Sequence, residues 1–93
     1  MSILKIKVII DLFENSERIY KTGMVVDFCI RDDMFNSGKI EFLGKEYVKS
    51  CETNIPAQIT FAYKELVFPF IEKDTYYTFG EPSFIYGRFK VLE

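Results

Sequence analysis

Histidine, the usual general base and the commonest metal ligand, is absent from this chain of 93 residues. Its serines and its two cysteines, Cys29 and Cys51, therefore lack the basic partner that activates a nucleophile. The cysteines are too far apart for a Cys-x-x-Cys site and too few for a disulfide framework, so they read as reduced thiols. Cys29 shares a strand face with Asp27 and Arg31, and one arginine is weak support for a thiolate. Asp32-Asp33 come nearest to a paired carboxylate. Adjacent residues at a strand end point apart, and no glycine-spaced ligand loop follows, so a solvated turn is the better reading. These residues predict no catalytic group, no metal and no cofactor.

Surface chemistry is the other possibility. Phe84, Tyr86, Arg88 and Lys90 alternate with Ile85, Gly87, Phe89 and Val91 along the last apolar run. If the second set faces a core, the first forms an aromatic and basic outer stripe. Lys5 and Lys7 hold the outer positions of the first run. Should the two runs neighbour each other, the combined face could stack bases and hold phosphates. The net charge of −2 argues against general nucleic-acid binding, which draws on surplus Lys and Arg. Ile9, Phe13, Phe84, Tyr86 and one of Val67 or Phe68 are outward apolar candidates, and clustered exposed rings suit a protein interface.

The elements that position these residues are strands. Leu4, Ile6, Val8, Ile10 and Leu12 alternate with Lys5, Lys7 and Asp11, a period of two that predicts a half-buried strand. Residues 23–42 predict a β-hairpin whose inward set is Val26, Phe28 and Ile30 on one arm and Ile40 and Phe42 on the other, joined by a polar connection over 32–38. Residues 47–54 read as irregular. Ala57, Ile59, Phe61 and Tyr63 predict a further strand. Residues 66–71 carry Pro69 and predict an edge strand or bulge; 76–79 and 84–92 predict the last two strands. Aromatic content is high, with ten Phe and six Tyr, and no window has helical periodicity. The expectation is one all-β domain over residues 1–93, a small closed antiparallel barrel of about six strands with a core filled by phenylalanine.

In that strand order the chain resembles the C-terminal β-barrel domain of elongation factor Tu. Gly23-Met24-Val25-Val26-Asp27-Phe28-Cys29-Ile30-Arg31 is similar to the family's Gly-Tyr-Arg-Pro-Gln-Phe-Tyr-Phe-Arg, keeping Gly23, Phe28 and Arg31. Ser37-Gly38-Lys39-Ile40-Glu41-Phe42 is similar to its Thr-Gly-x-Ile-Glu-Leu. Ser50-Cys51-Glu52 stands at its Pro-Gly-acidic turn, and Glu81, Gly87 and Val91 keep three positions of its last two strands. The resemblance implies a non-catalytic barrel that contacts proteins and grips the T-stem of tRNA. It places Arg18 and Glu81 in the RNA-facing loops. Met24-Val25-Val26 replaces the family's Tyr-Arg-Pro, and both loop glycine pairs are gone, which predicts an altered RNA task.

A cytoplasmic binding module acting by protein–protein contacts, through a surface drawn from Lys5, Lys7, Arg18, Glu81, Phe84, Tyr86, Arg88 and Lys90, is the resulting expectation. RNA is the alternative partner, and an immunity-type protein neutralising a cognate toxin is a further one. Charges inside Met1-Ser2-Ile3-Leu4-Lys5-Ile6-Lys7 are unlike a signal peptide, and no apolar run approaches a membrane span.

Overall fold

The computed structural model describes residues 3–14, 19–31, 34–81 and 84–92. The expected loop at 15–18 with Arg18, the Asp32-Asp33 turn and the Pro82-Ser83 turn lie outside the described residues.

Alternating side chains build the barrel. In β1 (Leu4–Leu12) every second residue from Leu4 is buried while Lys5 and Lys7 are exposed. β3 (Val25–Arg31) and β4 (Met34–Phe42) form the predicted hairpin, with Val26, Phe28, Ile30, Ile40 and Phe42 buried as expected. β6 (Ile55–Phe61), β7 (Tyr76–Glu81) and β8 (Phe84–Val91) complete the set. All pairings are antiparallel and the strands close in the order β1-β6-β4-β3-β7-β8. Closure gives each wall strand two neighbours, although the β1–β8 ladder spans only Val8–Leu12 of β1 and the β3–β7 ladder only Asp27–Cys29 of β3.

Each end of the barrel is plugged. A two-stranded ribbon of β2 (Ile19–Lys21) and β5 (Tyr47–Lys49) covers one end and buries Tyr20 and Val48. The link from β6 to β7 crosses the other as α1 (Lys64–Val67) and a 3-10 turn (Phe68–Phe70), and buries Val67. Inside, Phe28 meets the rings of Phe61, Phe79 and Phe89 at centroid distances of 5.2, 5.7 and 5.4 Å. The expected filled phenylalanine core is present.

Five expectations are corrected. β6 ends at Phe61, so Tyr63, expected as its fourth inward residue, is instead 49% exposed at the start of α1. Residues 66–71 are not an edge strand. Pro69 lies in the first turn of the 3-10 helix, where its missing N–H costs nothing, and the chain must coil there to cap the barrel. Residues 47–49, expected to be irregular, pair with β2. The hairpin connection is shorter than 32–38, because β4 already begins at Met34. Tyr86 does not face outward: it is 5% exposed and its ring lies 5.3 Å from that of Tyr20.

The Tyr86 reversal has a local cause. Phe79 pairs with Gly87 and Gly80 pairs with Ile85, so Tyr86 is an extra residue in a β-bulge. Past the bulge the inward phase of β8 slips by one. Gly80 permits this with φ +148°; a Cβ there would stand 2.5 Å from the Phe84 carbonyl oxygen. A Cβ at Gly87 would collide with the Asp11 carbonyl oxygen and approach Leu12 Cα to 3.0 Å. Backbone atoms of β1 would have to move.

The 45–54 loop is tied by one carboxylate. Glu52 Oε2 accepts the Lys49 backbone N–H at 2.6 Å, and Oε1 accepts from Lys45 Nζ at 3.0 Å. The Glu52 carbonyl in turn accepts the Leu12 N–H at 2.8 Å. The Lys49 amide, then the Lys45 ammonium, hold the Glu52 carboxyl below its ordinary range.

Gly87→Ala should destabilise the fold by about 2–3 kcal/mol, an overpacking cost that cannot relax into flexible side chains. Thermal unfolding should show a drop in Tm of more than ~8 °C; a near-normal Tm would mean that β1 and β8 do not approach so closely. Because the Glu52 carboxyl is depressed in the fold, its contribution is present above the unfolded-state value and is lost as pH falls through the folded one. Glu52→Gln should therefore lower Tm by a few degrees at pH 7, with wild type and variant converging well below pH 4.5. A constant difference down to low pH would rule out the carboxylate as the tie.

Candidate interaction surface

β1 and β8 are neighbours, as the combined outer stripe required, with Ile9 opposite Lys90 and Asp11 opposite Arg88. Lys5, Lys7, Arg88 and Lys90 therefore lie on one continuous outer face. Tyr76, which the sequence reading did not single out, joins them from β7: the Arg88 guanidinium lies 4.0 Å from its ring centroid and Lys90 Nζ 5.8 Å. Arg88 is already engaged, with Nε donating to Asp11 Oδ2 at 3.1 Å. Asp11 Oδ1 accepts the Asn54 N–H at 2.9 Å, so this carboxylate joins β1, β8 and the loop before β6. The guanidinium is stacked and paired before any ligand arrives.

The remaining predicted residues are elsewhere. Glu81 and Phe84 face each other across the β7–β8 hairpin, and Phe84 is about 13 Å along the strand from Arg88. Phe84 is exposed, with its ring 5.9 Å from Tyr86. Tyr86 is lost to the core. The expected surface thus divides into a basic sheet face and a separate hairpin tip.

A second outer face carries the most exposed aliphatic side chains. Thr60 of β6 is flanked by Lys5 of β1 and Lys39 of β4, and Lys39 pairs in turn with Val25 of β3. These four residues form one row across four strands. Ile3 and Ala62 lie beside the row, just beyond the ends of β1 and β6. Ile3 is 65% exposed and Val25 is 68% exposed. Between them is a shallow apolar depression of about 310 Å³ with a floor of Thr60, Ala62, Ser37 and Gly38. Lys39, in the row between Thr60 and Val25, also lines it. Ser37 Oγ donates to Asp27 Oδ1 at 3.0 Å, which fixes the acidic group at the rim.

Ser37 and Ala62 also border a neighbouring cleft of about 210 Å³ at the α1 end of the barrel, reached by Phe61, Tyr63 and Val67. Asn36 lines it, and its Nδ2 is buried without a hydrogen-bond partner among the described residues. Phe28 is the cross-strand partner of Asn36, so this amide sits at the inner phase of β4 where the barrel wall ends.

The parity of Ile3 with Lys5, and of Val25 with Asp27, was readable in the sequence. That β6 and β4 lie between those residues and make them opposite rims of one depression was not, since it depends on strand order. Cys29 and Cys51 are not joined in a disulfide. Among the described residues no three His, Cys, Asp or Glu side chains gather as a metal site. No helix among them is long and apolar enough to cross a membrane. No family model, curated protein or solved structure matches the chain.

An orphaned buried amide costs about 1–3 kcal/mol of desolvation. Asn36→Leu should accordingly raise stability by roughly 1 kcal/mol and Tm by ~4–8 °C, measured by thermal or denaturant unfolding. A lower Tm would show that the amide has a partner in solution.

Proposed function

We propose that this chain is a non-catalytic β-barrel binding module that works through protein–protein contacts. One observation carries the reading: Ile3, just before β1, and Val25 of β3, two strongly exposed aliphatic side chains, border a single apolar depression over β6 and β4. Such a patch loses favourable burial as long as it faces water. The lack of histidine, the usual general base, supports the non-catalytic part. A cytoplasmic setting agrees with two cysteines that are not joined in a disulfide. The elongation factor Tu resemblance rests on the residues quoted for it, and a six-stranded closed barrel is compatible with it.

RNA binding is the second reading, favoured by the side-by-side placement of Lys5, Lys7, Arg88 and Lys90 with Tyr76. The pairing of Arg88 with Asp11 and the burial of Tyr86 leave it the weaker of the two.

Wild-type protein and Val25→Asp, matched for Tm, would be used as baits in lysate of the source cells. A partner held by wild type and reduced at least ~10-fold on the variant is the expected result, the scale of losing one buried interface contact. Equal capture by both baits removes the depression as the binding surface. Titration of the wild type with tRNA at low salt should show no binding altered by Phe84→Ala with Arg88→Ala; a loss of tRNA affinity in that variant would favour RNA instead.

A further inference from the structure

We infer that the projecting part of β4, residues 34–37, takes up a short extended segment of another protein as an added β-strand, with one side chain of that segment in the cleft beside Asn36. The inference rests on the protein-contact reading for the class of partner. It does not use the Ile3–Val25 depression, with which the cleft shares only Ser37 and Ala62.

The ladder leads to it. β4 runs from Met34 to Phe42, yet its pairing with β6 stops at Gly38, opposite Phe61. Past Phe61 the chain leaves the wall to form α1. Residues 34–37 therefore have β3 on one side and no strand on the other. Backbone groups alternate in direction along a strand. Ile40 bonds toward the β3 arm, donating to the Met24 carbonyl at 2.9 Å and accepting from the Gly23 N–H at 2.6 Å. Leu43 donates the other way, to the Pro56 carbonyl at 3.0 Å. Even-numbered residues of β4 thus face β3 and odd-numbered ones face β6. Phe35 and Ser37 each direct an N–H and a C=O into the lane that β6 has left, and no backbone group among the described residues meets them there.

The lane opens onto the cleft of about 210 Å³, whose far side is Phe61, Ala62, Tyr63 and Val67. Pockets for whole drug-sized ligands start near ~300 Å³, so this one suits a single side chain. A residue paired with Asn36 would share its inward phase and enter against Phe61 and Val67, which are apolar and buried. Asn36 Nδ2 has no partner among the described residues. Three successive residues of β4 thus carry polar groups that the barrel leaves unmatched, and an added strand is the occupant whose backbone matches them.

This edge is also unguarded. Exposed strand edges are ordinarily blunted by charge or proline. Met34-Phe35-Asn36-Ser37 has neither, and the nearest charged residues, Asp33 and Lys39, lie on either side of it. The open start of β1, by contrast, carries Lys5. A second copy of this chain is the poorer occupant, because its own link over 62–67 borders the same edge and would enter the lane with it. A single extended segment, about 13 Å long and one strand spacing of ~4.8 Å from β4, avoids that crowding.

Amide exchange and a peptide selection on the full chain test this. In the free chain the Phe35 and Ser37 N–H groups should exchange at least ~10-fold faster than those of Asn36 and Gly38, which face β3. A displayed library of linear peptides of about 10 residues should yield extended binders with an apolar residue at their centre. Bound peptide should slow exchange at Phe35 and Ser37 by at least ~10-fold. Ser37→Pro removes one of the two N–H groups in a way that edge strands tolerate, and should weaken binding at least ~5-fold. Val25→Asp should leave binding unchanged. If Ser37→Pro does not fold, the exchange measurement decides alone. Binders that leave Phe35 and Ser37 exchange unaltered, or an empty selection, would overturn the site. Binders indifferent to Ser37→Pro but lost on Val25→Asp would overturn strand addition and leave the depression standing. Protection of Phe35 and Ser37 in the free chain that grows with protein concentration would overturn it in favour of a second copy.

Discussion

Phe28 is the contact on which the rest of the barrel depends. Its ring meets Phe61 from β6, Phe79 from β7 and Phe89 from β8, so one side chain of β3 joins four of the six wall strands. Each such aromatic pair adds about 0.5–1.5 kcal/mol beyond area burial. Space for it comes from β4, where Gly38 faces inward: a Cβ at that position would stand 2.8 Å from Phe28 Cε2 and 3.1 Å from Phe61 Cδ1. The pairing of Val26 with Gly38, two residues from Phe28, therefore leaves little freedom for a register slip. Fixing Phe28 inward fixes Val25, Asp27 and Cys29 outward, and with them one rim of the apolar depression.

Closure has a second requirement at the opposite side of the wall. β1 and β8 approach so closely at Gly87 that no side chain fits between them, and the bulge at Tyr86 gives β8 the bend to get there. The bulge turns Tyr86 onto Tyr20 of the capping ribbon. In consequence the face that the alternating sequence marked as aromatic and basic loses a central ring, while its Arg88 is held by Asp11 and Tyr76. The guanidinium Nε serves there as a cross-strand tie.

The long strands were legible because period-two alternation over seven to nine residues leaves little ambiguity: β1, β3 and, as far as Phe61, β6 have the buried phases expected of them. The short elements were not. β2 and β5 have three residues each and α1 has four, too few for any period to show. Tyr86 was misplaced because a bulge shifts phase by one residue without an obvious mark in the sequence, although Gly80 and Gly87 are the residues that permit it. Of the candidate surface, the outward character of Lys5, Lys7, Arg88 and Lys90 was readable. The depression was not, because Ile3 and Val25 meet only through the order β1-β6-β4-β3.

Fold and function meet in that order and its register. A one-residue slip of β4 on β6 would remove Lys39 from beside Thr60 and turn the β4 side chains about. Cross-strand nuclear Overhauser contacts in solution measure this directly. The row should appear as Lys5 to Thr60, Thr60 to Lys39 and Lys39 to Val25. Contacts displaced by one residue, linking Thr60 instead to Ile6 or to Ile40, would contradict the register and remove the depression with it.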